Sequence, residues 1–257
     1  MGEALVAGLL DAGYDADAIA IAEARAERRQ ELEQRAPGTR VGPSASWAVA
    51  DADVVVVAVK PNDVAAVLDG AIDALGEHAC IVSIAAGVTI ADLEAHAPGR
   101  PVVRAMPNTP ALVGRGATAI AAGTLATEDD LASAQRLLSH VGTVARVPEH
   151  LLDAVTGLSG SGPAYVFLVV EALTEAGVLN GLPRDLAVDL VTQTIIGSAE
   201  LLAASEDGPE VLRANVTSPG GTTAAGLAAL ERNGVRAAFL EAVTAATERS
   251  RELGRRT

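Results

Sequence analysis

The sequence predicts a doubly wound, mostly parallel α/β sheet followed by an all-helical domain, and three observations predict it. Short β-branched apolar runs alternate with helical segments through residues 1–147. One of those runs, Asp53 to Val59, is apolar almost throughout, the pattern of a strand buried on both faces. After Pro148 the strands stop, and residues 148–257 carry apolar positions at helical period instead.

Taken in order, Met1 to Gly13 reads as a helix ended by a glycine. Ile19 to Ala22 is a short strand, and Arg25 to Ala36 a charged helix. The strand Asp53 to Val59 leads into a helix over Pro61 to Leu75, with proline near its start. Cys80 to Ile84 is the next strand and Thr89 to Leu93 opens a short helix. Val102 to Ala105 and Ala117 to Ala122 are strands. Glu128 to Leu138 is a helix with Thr127 as N-cap, and Thr143 to Val147 closes the series. In the second half Tyr165 to Val178, Pro183 to Ala204, Gly221 to Arg232 and Val235 to Leu253 read as helices. A loop from Ser205 to Pro209 interrupts them. Their apolar stripes are too wide for one small bundle, which points to packing against a second copy of the chain.

Bulk properties remove several classes of function. Net charge is −14, from 19 basic and 33 acidic residues, which argues against binding nucleic acid or an anionic membrane through the general surface. No uninterrupted apolar run approaches the ~18–20 residues that span a bilayer, and no signal-peptide pattern opens the chain, so a cytoplasmic location is expected. Cys80 is the only cysteine, which excludes a disulfide within one chain. The four histidines show no metal-ligand spacing, so no metal is expected. Lys60 is the only lysine and follows Val59, so there is no Gly-Lys-Ser/Thr phosphate loop. The acidic surplus with lysine depleted fits either a salt-rich cytoplasm or a coding bias towards Ala, Arg and Asp.

Five segments carry the chemistry. Ala58-Val59-Lys60-Pro61 lies at the carboxyl end of a strand, where ligands sit in open α/β sheets, and Ile84-Ala85-Ala86-Gly87 ends the next strand with small residues. Arg104 to Pro110 holds Asn108 between two prolines, placed either to bond a carboxamide or to cap a turn. Thr156 to Tyr165 sets Ser159, Ser161 and Gly162 ahead of a helix. It fails as a Gly-x-Ser-x-Gly nucleophile elbow, and an anion-binding helix start is the better reading. Val216 to Thr223 is the strongest of these motifs: Gly220 and Gly221 allow a tight turn, and Thr222 and Thr223 add hydroxyls at a helix start suited to a small carboxylate.

Four of them, read as Ala58 to Pro61, Met106 to Pro110, Gly157 to Tyr165 and Val216 to Thr223 in this order and spacing, resemble those of the pyrroline-5-carboxylate reductase family along essentially the whole chain. The resemblance implies a Rossmann-type domain and a helical dimerisation domain, assembled as a homodimer or a higher oligomer of dimers. It implies a nicotinamide cofactor, NADPH more often than NADH, and reduction of 1-pyrroline-5-carboxylate to L-proline. By the same resemblance Ala58, Val59, Lys60, Pro61, Ile84, Ala85, Ala86, Asn108 and Asn215 line the cofactor. Glu206, Thr222 and Thr223 hold the substrate beside Gly220, Gly221, Ser159, Ser161 and Gly162, with Glu206 and Thr223 nearest the chemistry. Glu23 suits a ribose hydroxyl, whereas Arg25, Arg28 and Arg29 suit a 2′-phosphate, and the balance favours NADPH. One departure stands out: no strand and Gly-rich turn precede the first helix. We expect that segment to lie upstream of Met1. The competing expectation is a shortened homologue that binds proline or a partner without catalysis. A β-hydroxyacid dehydrogenase fits less well, because no lysine follows Lys60.

Overall fold

The computed structural model describes residues 1–254, which form two compact units. One unit comprises Met1–Ser161 and the chain from Ala245 on; the other is Gly162–Thr244. By contact, the division falls after Ser161 instead of after Val147. Leu152 is fully buried and packs with Ile90, Ala119 and Ala121, which ties the segment after Pro148 to the sheet.

In the first unit, helix α1 (Gly2–Asp11) precedes β1 (Ala20–Ala22), α2 (Ala26–Arg35), β2 (Arg40–Gly42), α3 (Ala45–Val49) and β3 (Val54–Val57). Helix α4 (Val64–Asp69), β4 (Cys80–Ser83), α5 (Ile90–His96) and β5 (Val102–Met106) follow. β6 (Gly116–Ala122), α6 (Glu128–Ser139), β7 (Gly142–Arg146) and α7 (Leu152–Val155) complete this stretch. β1 and β2 pair in parallel as a separate two-stranded sheet, and β3-β4-β5-β6-β7 form the main one. All main-sheet pairs are parallel except β5 with β6. The connection from β5 to β6 is too short for the crossover that a parallel pair requires.

Strand alternation divides the core between two faces. Cys80, Val82, Val103, Ala105 and Ile120 face Leu5 and Leu9 of α1 and Leu138 of α6. Ile81 and Val102 face Val64, Leu68 and Leu93 on the helices opposite. The odd-even split is the period of a strand, and covering both faces is what a doubly wound sheet demands. Each fully buried aliphatic side chain contributes about 1.5–3 kcal/mol. β3 departs from expectation: Val54, Val55 and Val56 are only half-buried. Among the described residues its one strand partner is β4, so its valines have fewer neighbours.

Other departures are local. The helix expected over Pro61 to Leu75 is a 3-10 turn (Pro61–Asp63), then α4, then a second 3-10 turn (Ile72–Ala74). Gly70 caps α4, and glycine is a poor helix continuer. Strand β2 has only three residues and no readable alternation, so its pairing with β1 defines it. The caps agree with the sequence. Thr127 and Thr89 each form a reciprocal box with the aspartate three residues on, Asp130 and Asp92.

The second unit contains α8 (Gly162–Leu179), α9 (Arg184–Ala204), α10 (Pro209–Asn215), α11 (Thr222–Arg232) and the start of α12 (Val235–Gly254). α10 follows the loop read from the sequence, over residues to which no helix was assigned, and Pro209 is its first residue, where proline is favoured. α8 and α9 pack on each other, with the Cβ of Ala187 3.2 Å from where a Cβ on Gly177 would lie. Yet Phe167 and Leu240 are 62% and 71% exposed in the single chain. Apolar exposure on this scale marks a surface that another molecule covers. Two helical segments, Glu149–Leu179 and Arg184–Ala204, are long and apolar enough to cross a membrane by length and composition, each with mean hydropathy 1.4. This corrects the expectation drawn from uninterrupted runs. Glu171, Glu175 and Asp189 break those runs without lowering the mean far. Carboxylates within the span disfavour insertion by about 2.5–3.5 kcal/mol for an aspartate at a helix centre.

Candidate active site

The parallel strands β3, β4 and β5 end at one edge of the sheet. Val57 lies level with Ser83, and β5 runs on past them to Met106. The segments from Ala58 to Pro61, from Ile84 to Gly87 and from Pro107 to Asn108 therefore emerge together, as the sequence predicted. α1 begins at the same edge: a Cβ on Gly2 would lie 3.2 Å from that of Ala58. No side chain caps α1, so its first N–H groups face outward with the positive end of the helix dipole. An uncapped helix start beside small residues at a parallel edge fits the phosphates of a dinucleotide. Ala58, Lys60, Pro61 and Ala86 are exposed, Val59 and Ile84 half-buried, and Ala85 is buried.

Asn108 has a different environment from a free carboxamide reader. It is only 9% exposed. Its Oδ1 accepts the Ala117 N–H at 2.8 Å, and its Nδ2 donates to the Ser159 carbonyl at 3.0 Å. The side chain thus braces β6 and the Ser159 segment against the end of β5, leaving one amide hydrogen for anything else. The glycine-rich segment adds a feature that the sequence did not signal. Thr156–Gly160 forms a single π-helical turn, in which the Ser161 N–H bonds to the Thr156 carbonyl at 2.8 Å. The turn ends at Gly160, and α8 starts at Gly162. Such π-turns cluster at functional sites. A side chain at Gly160 would collide with the methyl of Met106, 2.7 Å from its Cβ position, so this turn rests directly on the end of β5.

Beyond the carboxyl end of β1, Glu23 Oε1 accepts from both the backbone N–H (3.0 Å) and Nε (3.2 Å) of Arg25. The backbone bond, then the guanidinium, hold the Glu23 carboxyl below its ordinary range. Arg29 is tied to the carbonyls of Glu23 and Ala24, and Arg28 to Glu3 and Glu31. Arg25, 74% exposed, is the one of the three that presents its charge outward.

Two polar links that the sequence did not signal brace this edge. Glu149 Oε1 accepts from buried Arg104 at 2.9 Å and from the Ile90 N–H at 2.7 Å. Ser250 donates to Asp153 at 2.6 Å. The partners stand far apart in sequence, so no local pattern reveals them.

In the second unit Gly220 takes a left-handed conformation (φ 69°), and Gly221, the N-cap of α11, bonds its N–H to the Ser218 carbonyl at 3.0 Å. A Cβ at Gly221 would lie 2.3 Å from Ser218 Oγ, so a larger residue there would force the serine hydroxyl to turn away. No side chain caps α11, and Thr222 and Thr223 occupy its first turn. Asn215 ends α10, and exposed Glu206 lies in the loop before α10. Among the described residues no hydrogen bond joins Glu206 to either threonine. A concavity of about 520 Å³ beside Tyr14, Arg136 and Arg146 contains none of the motif residues, and one of about 230 Å³ includes Ser159. Cys80 is buried, and burial, then Asp130, push its thiol up to about 12, so it is no nucleophile.

A doubly wound sheet with a dinucleotide-shaped edge, joined to helices whose apolar faces need a partner, defines an oligomeric dinucleotide-dependent oxidoreductase. The family model for pyrroline-5-carboxylate reductase dimerisation matches residues 149–253, and that for NADP oxidoreductase, coenzyme F420-dependent, matches residues 1–87. Pyrroline-5-carboxylate reductase of Synechocystis is 46% identical over 100% of this chain and 96% of its own length. The solved pyrroline-5-carboxylate reductase of Coxiella burnetii is 36% identical, with TM-score 0.93 over 98% of this chain and 94% of that one. The Plasmodium falciparum enzyme, solved with NADP bound, is 33% identical, with TM-score 0.87 over 99% and 94%. The chain belongs to the pyrroline-5-carboxylate reductase family. Full-length identity to reductases favours an enzyme over a non-catalytic binding homologue, and the dimerisation match supports homo-oligomers.

Proposed function

We propose that this protein reduces 1-pyrroline-5-carboxylate to L-proline with NADPH, the last step of proline biosynthesis. The observation that carries the reading is the Gly220–Thr223 turn: an uncapped helix start with two threonine hydroxyls, in a chain that matches reductases along its length. The amides and hydroxyls of that turn hold the substrate carboxylate, a small anion on a helix start. The nicotinamide supplies the hydride. The protein fixes the imine carbon toward it, and the ring nitrogen keeps or takes the proton that makes the product a secondary amine. An iminium is already electrophilic, so the chain need not provide a strong acid, and orientation dominates. Glu206 stabilises the cationic nitrogen or relays its proton. Ser159, Ser161 and Gly162 lie near the substrate, and Ala58–Pro61, Ile84–Ala86, Asn108 and Asn215 line the cofactor. Exposed Arg25 favours the 2′-phosphate of NADPH over NADH. The working form is a homodimer or an oligomer of dimers. It is cytoplasmic and engages neither nucleic acid nor membrane, in keeping with its net charge of −14.

The test is oxidation of the reduced cofactor with pyrroline-5-carboxylate. Thr223→Ala should raise KM for the imino acid and leave kcat near wild type. A fall of about a hundredfold in kcat with KM unchanged would mean that Thr223 acts on the reacting bond, and carboxylate anchoring would be wrong.

A further inference from the structure

The last turns of α12 fold with the sheet, away from the first turns of the same helix in the contact division. Two of their residues, Thr247 and Ser250, are buried although both are polar. Ser250 Oγ donates to Asp153 Oδ1 at 2.6 Å, across 97 residues of sequence. The next turn reaches the loop after β4. A Cβ on Gly87 would lie 3.7 Å from that of Leu253, and a Cβ on Gly254 3.4 Å from the Gly87 carbonyl oxygen. Gly87 holds a left-handed conformation (φ 81°), so the path of this loop is sharply defined where the helix meets it. From the other side, Glu149 accepts the Ile90 N–H at the loop's far end. The segment from Ile84 to Ile90 is thus held between the end of α12 and the Glu149–Asp153 segment, which are themselves joined by the Ser250–Asp153 bond.

We propose that Ser250 and Asp153 are positioning residues for the cofactor: their bond seats the end of α12 against the loop from Ile84 to Gly87 and fixes that loop in its cofactor-binding path. The inference rests on the reading that this loop lines the cofactor. Neither residue touches the reacting atoms. A part-buried hydrogen bond to a carboxylate acceptor is strong enough to hold such a contact.

The experiment uses the full-length protein and measures KM for NADPH and for the imino acid separately. Ser250→Ala and Asp153→Ala should each raise KM for NADPH by roughly threefold to tenfold. KM for the imino acid and the oligomeric mass should not change. Asp153→Asn keeps a carbonyl acceptor for the serine hydroxyl and should restore most of the affinity. Glu252→Ala removes an exposed ion pair to Arg249 one turn away and should have no effect. Amide exchange should quicken over residues 84–90 in Ser250→Ala. Equal rises in both KM values, or a loss of thermal stability alone, would overturn the positioning role. Ala86→Leu separates the two readings. If it leaves KM for NADPH unchanged, the cofactor reading of the loop fails and the inference falls with it. If it raises that KM while Ser250→Ala does not, the brace alone is overturned.

Discussion

Replacing Asn108 by alanine tests whether this side chain reads the cofactor or holds the site together. The substitution removes two hydrogen bonds, Nδ2 to the Ser159 carbonyl and the Ala117 N–H to Oδ1. A net hydrogen bond contributes about 0.5–1.5 kcal/mol, and a buried group left unpaired costs about 1–3 kcal/mol. Ala117 and Ser159 are both half-buried, so water reaches part of what is exposed and the lower ends apply. The expected loss is roughly 2–3 kcal/mol in total. Urea unfolding at fixed protomer concentration measures it, because oligomer stability depends on concentration. With an m-value of about 3 kcal/mol/M for a chain of this size, the midpoint should fall by nearly 1 M. Asn108→Asp keeps the acceptor for Ala117 but sets a carboxylate against the Ser159 carbonyl, so it should be no more stable than the alanine variant. Activity should fall with stability in both. An unchanged midpoint in Asn108→Ala with activity lost would refute the bracing role and leave Asn108 with the cofactor alone.

Three further outcomes are expected. Arg25→Ala should raise KM for NADPH several-fold while leaving KM for NADH nearly unchanged, measured by parallel titration of the two cofactors. Equal effects would remove Arg25 from 2′-phosphate recognition. Cys80 should resist thiol reagents in the native protein and react fully in denaturant. Its folded pKa of about 12 lies above the ordinary 9.0, so the stability it contributes is full below pH 9 and is lost as pH rises towards 12, seen as a falling unfolding midpoint. Leu168→Glu places a charge on the apolar face of α8, 64% exposed in one chain, and should shift mass by light scattering towards the single protomer.

Much of the fold was legible because its signals are local. Runs such as Val54–Val57 and Cys80–Ser83 declare strands by composition, and Thr127 declares a helix start as its N-cap. The Gly220–Thr223 turn was legible for the same reason: tight turns and helix starts are written in consecutive residues. The half-burial of β3 was not, because burial depends on which strands lie beside it. Nor was the π-turn at Thr156–Gly160, which differs from a helix start only in where the Ser161 N–H finds its acceptor.

The sequence by itself determined the alternation of strand and helix, the switch to helices in the second half, and the segments that meet at the sheet edge. Each follows from side-chain period, backbone preference or charge within a few residues. Tertiary structure alone decided that Asn108 spends its amide on Ala117 and Ser159, that Glu149 joins Arg104 to the start of α5, and that Ser250 reaches Asp153. Those partners are chosen by which elements pack together. A hydrogen bond between distant residues leaves no trace in the local pattern of either one.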